Sequence, residues 1–200
     1  MPAYGDPAFW EERYGAEPDA SFDWYQPYDT LRPFLMPYLS VRPDFEVLVA
    51  GCGNSALPAQ LSDDGFENIS CVDVSQAVVD QMSKRYAGNS DLDYWQADMT
   101  SLDVVPNESF DVVFDKALLD ALLCGEESFD KALMMLGEVH RVLKPGGRYI
   151  CVSYGIPSSR QPLLEHCTWA VESSKIPKPP VAEFQGVEAD PNHFLYVCRK

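Results

Sequence analysis

The chain has 200 residues, 46% of them hydrophobic, and a formal net charge of −16. That length suits a single domain with an ample core, and no apolar run reaches the length of a membrane span. The charge is opposite to the basic footprint of a nucleic-acid binder, so neither nucleic acid nor membrane is expected as a partner. The start, Met1-Pro2-Ala3-Tyr4-Gly5-Asp6, lacks the basic and apolar regions of a secretory signal. Cys52, Cys71, Cys124, Cys151, Cys167 and Cys198 form no C-x-x-C pair and do not cluster with His140, His166 or His193. They read as reduced, structural thiols of a cytoplasmic protein, with no metal site.

In chain order, Phe9, Trp10 and Tyr14 lie at helical spacing, which predicts a short helix over 7–15. A loop containing Gly15, Pro18 and Asp19 leads to Asp23-Trp24-Tyr25, and a helix is expected from 28 to 39 despite Pro33 and Pro37. Strands are then predicted at 45–50, 69–73, 93–96, 110–115 and 148–153, with helices at 56–64, 75–87 and 128–143. The last of these helices stops at Pro145-Gly146, as helices do before proline and glycine. This alternation argues for a parallel α/β sheet with right-handed crossovers. After residue 155 a strand near 167–173 and a final one at 194–199 form an antiparallel pair, separated by a loop with Pro177, Pro179 and Pro180.

The chemistry gathers where the strands end. Val47-Leu48-Val49-Ala50 runs into Gly51-Cys52-Gly53-Asn54-Ser55, an apolar strand breaking into a glycine turn. Glycines there let the backbone turn sharply and approach a ligand closely. Ser55 is placed to cap the next helix, with Pro58 in its first turn, and the free N–H groups at that helix start attract an anion. Asp73, about 20 positions on at the tip of the second strand, is placed to accept hydrogen bonds from ribose hydroxyls. Asp98 follows the third strand and suits an adenine amino group, with Val74 and Met99 as apolar walls to the ring. Gly51, Gly53 and Ala56 also satisfy G-x-G-x-x-A, which keeps a nicotinamide-dependent oxidoreductase in view. Against that class, the loop begins some 50 residues in and leaves little room for a separate catalytic domain. A non-catalytic module would not need so complete a set of cofactor residues.

With Arg141-Val142-Leu143-Lys144-Pro145-Gly146-Gly147-Arg148 before a late strand, these motifs resemble class I S-adenosylmethionine-dependent methyltransferases across nearly the whole chain. Phe9-Trp10-Glu11-Glu12-Arg13-Tyr14, Asp23-Trp24-Tyr25 and Phe114-Asp115-Lys116-Ala117-Leu118-Leu119-Asp120-Ala121-Leu122 narrow the resemblance. They are similar to a methyltransferase-like group that includes lysine methyltransferases of elongation factor 1-alpha. Val49 departs from the acidic residue of the wider superfamily, as that group does; Ala117-Leu118 departs from the group's Gly-Thr.

The resemblance implies a single Rossmann-like α/β domain over 41–200, with a seven-stranded sheet of order 3-2-1-4-5-7-6 and strand seven antiparallel. Residues 1–40 would form a helical lid. It also implies S-adenosylmethionine as cofactor, with Trp10, Tyr14, Trp24 and Lys116 against it. Gly51, Gly53 and the backbone at Asn54 would take its amino-acid end, Asp73 its ribose, and Asp98 with Val74 and Met99 its adenine. Asp115 or Asp120 would orient an acceptor ammonium or help its proton leave; Asp115 would otherwise cap the following helix or pair with Lys116. The acceptor expected is a lysine in a protein with a basic surface, elongation factor 1-alpha being the candidate, with a small-molecule acceptor as the alternative.

Overall fold

The computed structural model describes residues 2–17, 21–179 and 190–200. Pro18, Asp19 and Pro180, expected in loops, lie outside them. Seven strands make one sheet: β1 (Glu46–Ala50), β2 (Asn68–Asp73), β3 (Leu92–Gln96), β4 (Phe110–Lys116), β5 (Leu143–Ser153), β6 (Ala170–Pro177) and β7 (Asn192–Arg199). Their order is β3-β2-β1-β4-β5-β7-β6, as the resemblance implies. Strands β1 to β5 pair in parallel, and β7 runs antiparallel to both β5 and β6.

Helices α1 (Pro7–Ala16), α2 (Tyr28–Leu35), α3 (Leu57–Asp63), α4 (Gln76–Arg85), α5 (Leu118–Leu122), α6 (Ser128–Val142) and α7 (Pro157–Leu164) flank the sheet. Side chains alternate across a strand, so each strand feeds two cores. Leu48, Ala50, Val113 and Tyr149 join Met135, Leu136 and Val139 of α6 and Leu164 of α7 on one side. On the other, Val47, Val49, Val112 and Phe114 pack with Leu31 and Leu35 of α2 and Leu57 and Leu61 of α3. The side chains of α2 are therefore part of the domain's core, and packing does not break at residue 40. Helix α1, capped by Asp6 through the Ala8 N–H at 2.9 Å, lies on α4 through Tyr14, Val78 and Met82.

The structure departs from the sequence reading at prolines and short helices. The helix expected over 28–39 ends at Leu35, and Met36–Tyr38 tighten into a 3₁₀ turn where Pro37 removes a donor. Strand β6 extends through Pro177, which is tolerated because β6 is the sheet's edge. Helices α5 and α7 were not expected: α5 has five residues, and α7 carries Pro157 and Pro162 with only Leu163 and Leu164 buried.

The turn from β4 into α5 is strained. Ala117 holds φ +85°, a left-handed conformation that costs an L-residue about 1–2 kcal/mol and glycine almost nothing. Asp115 pins the turn from below, accepting the N–H groups of Leu118 (2.7 Å) and Leu119 (3.0 Å) and the Tyr149 hydroxyl (2.7 Å). Replacing Ala117 by glycine should relieve the strain and stabilise the fold by up to about 1 kcal/mol, read from the urea midpoint. A lower midpoint would mean that the alanine methyl contributes more by packing than its backbone costs.

Candidate active site

Across the carboxyl ends of β1, β2, β4 and β5 lies a cavity of ≈ 350 Å³, within the range that holds small ligands. This is the place an open α/β sheet offers, where the order reverses between β1 and β4. The sheet supplies the floor, and Tyr4, Trp10, Tyr14, Phe22, Trp24 and Tyr25 supply much of the roof.

Floor and glycine turn are built together. Gly51 (φ +60°) and Gly53 (φ +52°) carry β1 into α3 in conformations closed to most side chains. The Gly53 N–H donates to Asp73 Oδ2 (2.9 Å), and the Ser75 N–H to Asp73 Oδ1 (3.0 Å). Asp73 is buried, and burial pushes its carboxyl above the usual range against the backbone N–H groups of Ser75, Gly53 and Val74. The carboxylate keeps acceptor capacity for a ligand hydroxyl. Ser55 does cap α3, though from outside it: its Oγ accepts the Leu57 N–H at 3.1 Å.

Beyond β2 and β3 the wall is Val74, Ala97, Asp98, Met99 and Thr100. Met99 is buried; Asp98 is exposed, and its Oδ1 accepts both the Thr100 N–H and hydroxyl at 2.8 Å.

The roof is an aromatic cluster. Trp10 stacks on Tyr4 (5.7 Å) and Tyr14 (5.9 Å), and Trp24 meets Tyr4 and Trp10 edge-on. Glu11 fixes the roof to α4 by accepting the Ser75 hydroxyl (2.6 Å) and Ala77 N–H (3.2 Å). Asp23 pairs with Lys116 and also accepts the Ser55 hydroxyl. Lys116 is nearly buried, and burial lowers its ammonium pKa while Asp23 holds it up. At the roof's start, Gly5 lies backbone to backbone on Gly125: a Cβ built on Gly5 would sit 2.4 Å from the Gly125 Cα.

Towards β5 the cavity turns polar at Asp120. Its Oδ1 accepts from the Ser153 hydroxyl (2.6 Å) and from Arg160 Nε (3.0 Å) and Nη2 (2.9 Å). Its Oδ2 accepts from the Tyr25 hydroxyl (2.7 Å) and the Tyr154 N–H (2.7 Å).

The cavity thus brings together Trp10, Tyr14, Trp24, Gly51, Gly53, Asn54, Asp73, Val74, Asp98, Met99, Lys116 and Asp120. It does not include Asp115. That carboxylate lies on the opposite side of β4 from Lys116, fully buried under α5, where burial pushes its pKa up to about 7 against three donated hydrogen bonds. The structure corrects the catalytic expectation for Asp115 in favour of the capping alternative. Sequence reasoning missed Tyr25, Tyr154 and Arg160, which also line the cavity. Only Tyr25 had a nearby signal, in Asp23-Trp24-Tyr25. Among the described residues, no group of three or more His, Cys, Asp or Glu side chains could hold a metal ion.

Comparison with known proteins gives this geometry a family. Residues 48–151 match the model of the methyltransferase domain. Along 97% of its length the chain is 35% identical to the eEF1A lysine and N-terminal methyltransferase of Bos taurus, of which it covers 28%. It is 38% identical to EEF1A lysine methyltransferase 4 of Mus musculus, with 78% of this chain and 64% of that one aligned. The chain therefore spans about a quarter of the length of the first relative and under two thirds of the second. Among solved structures, the N-methyltransferase NodS from Bradyrhizobium japonicum superposes with a TM-score of 0.67 at 17% identity. That superposition covers 95% of this chain and 97% of NodS, a likeness of fold. With a matching domain model around the glycine turn, Asp73 and Asp120, the chain belongs to the family of S-adenosylmethionine-dependent methyltransferases.

Proposed function

We propose that this protein transfers the methyl group of S-adenosylmethionine to a lysine amine of a protein, and that elongation factor 1-alpha is its substrate. The observation that carries the acceptor class is the 35% identity, along 97% of the chain, to a protein named as an eEF1A lysine and N-terminal methyltransferase.

The cavity's residues suit the cofactor. Asp73 offers its remaining lone pairs to the ribose hydroxyls; Val74, Asp98 and Met99 form the adenine end; Gly51, Gly53 and Asn54 line the turn beside the amino-acid end. Trp10, Tyr14 and Trp24 line the cavity, and aromatic rings suit a cationic ligand, which their faces attract within about 6 Å. When bound, the cofactor supplies an electrophilic methyl group on a sulfonium. The protein's own contribution is to align the acceptor with that carbon and exclude water.

The acceptor end lies towards Asp120, Tyr154 and Arg160, at the ends of β5 and α5. Exposed Tyr154 and Ile156 leave it open to a macromolecule. Glu126, Glu127 and Asp130, all exposed, follow the cavity-lining Cys124 in the chain and suit a basic partner. A small-molecule acceptor is the competing reading; incubation with labelled cofactor separates the two. Label should be recovered on a lysine of elongation factor 1-alpha produced unmethylated in bacteria. Label confined to small molecules would reject the protein acceptor.

Asp73→Ala should weaken binding of S-adenosylhomocysteine by about 1.5–3 kcal/mol in calorimetry, the range for hydrogen bonds to a charged group. An unchanged affinity would remove Asp73 from the ribose site. Residues 1–40 include the roof, which we assign as a lid. Hydrogen exchange over 8–17 and 21–25 should therefore slow when S-adenosylhomocysteine is added, and equal exchange would reduce Trp10, Tyr14 and Trp24 to packing residues. Turnover on elongation factor 1-alpha should fall as salt rises, with S-adenosylhomocysteine affinity much less affected, because screening shortens to about 8 Å near physiological ionic strength. Salt-independent turnover would remove the electrostatic part of the partner assignment.

A further inference from the structure

Asp120 lines the cavity at the acceptor end, yet it is poorly suited to hold an acceptor itself. Its two oxygens already receive five hydrogen bonds, from Tyr25, Ser153, Tyr154 and twice from Arg160, and a carboxylate has about four lone-pair sites. The Arg160 guanidinium offsets its charge at 2.9 Å. An incoming amine would have to displace one of these donors.

The neighbouring Tyr25 has the opposite character. Its hydroxyl proton is committed to Asp120, so the lone pairs of the phenol oxygen remain as acceptors. Its ring is fixed between Trp24 (6.3 Å) and His193 (4.9 Å), and it lines the same cavity. Its backbone sits at φ +66°, a left-handed conformation that is uncommon for a bulky residue and clusters at functional sites. Behind it, burial holds the His193 imidazole down at about 4, and its Nδ1 lies 3.1 Å from Gln26 Nε2. His193 is therefore neutral at physiological pH and adds no positive charge behind the phenol. Burial and the Asp120 carboxylate push the Tyr25 hydroxyl well above its ordinary pKa, so it stays a phenol and does not act as a base.

We infer that Tyr25 is a catalytic residue that grips the acceptor nitrogen: its phenol oxygen, oriented by Asp120, accepts an N–H of the amine and turns the nitrogen lone pair towards the methyl carbon. This rests on the amine-acceptor reading above. The lysine ammonium first loses one proton to water. Its nitrogen then forms the N–C bond as the S–C bond breaks, with that bond's electron pair staying on sulfur. The positive charge passes from sulfonium to methylammonium, and no enzyme base is consumed. Asp120 is a positioning residue, acting through Tyr25.

The test uses bacterially produced elongation factor 1-alpha, with S-adenosylhomocysteine as an independent binding probe. Tyr25→Phe keeps the ring and removes the oxygen. Its kcat should fall at least about tenfold, the equivalent of one good hydrogen bond, while calorimetric affinity for S-adenosylhomocysteine stays within about twofold. In both proteins turnover should rise with pH towards the lysine pKa of about 10.4, with the same slope, because Tyr25 takes no proton. Asp120→Asn should also lower kcat, and the double variant should be little worse than Tyr25→Phe alone. Turnover within about twofold of wild type in Tyr25→Phe would overturn the assignment while leaving the lysine reading intact. So would a matching loss of S-adenosylhomocysteine affinity, or additive losses in the double variant. A wild-type protein that labels no lysine would remove the amine reading and the assignment together.

Discussion

The five hydrogen bonds collected by Asp120 are the constraint on which the site's architecture depends. Their donors come from the roof (Tyr25), the end of β5 (Ser153 and Tyr154) and α7 (Arg160), while the acceptor stands on α5. Segments around residues 25, 120 and 153–160 meet at one carboxylate. Taking a buried carboxylate from water is costly unless it is paired and hydrogen-bonded, so each donor is needed and each segment is held in place by supplying it. The strained turn at Ala117 and the cap made by Asp115 follow from the same demand, because they set where α5 starts and hence where Asp120 stands.

At the other end Asp73 performs the corresponding task with the backbone. Its bonds to the Gly53 and Ser75 N–H groups join the turn after β1 to the start of α4, and Glu11 ties the roof to that same helix start. The cavity is therefore organised by two buried carboxylates, one fixing the floor and roof near β2 and the other near β5. Between them Lys116 and Asp23 form a further link from sheet to roof.

Much of this was legible in the sequence because it is local. A glycine turn after an apolar run, an aspartate at the tip of the next strand and an alternating pattern specify the β1–β2 end of the site within some 25 residues. The β5 end was harder to read. Asp115 and Asp120 both looked placed for chemistry, and only the pleat decides between them: Asp115 leaves β4 on the α5 side, Lys116 on the opposite one. Tyr25 meets Asp120 across 95 positions, a pairing with no local signal. Helix α7 has two prolines and too few buried residues to show a helical stripe, so Arg160 could not be assigned to any element.

The two anchors of the roof have a consequence for how its ends move together. Asp23 holds Lys116, and Tyr25, two residues on, holds Asp120. Two residues of chain span at most about 7 Å, so a displacement of the roof that parts Asp23 from Lys116 also pulls on the Tyr25–Asp120 bond. On this geometry the two contacts are coupled: whatever loosens the roof at one end of the cavity loosens it at the other.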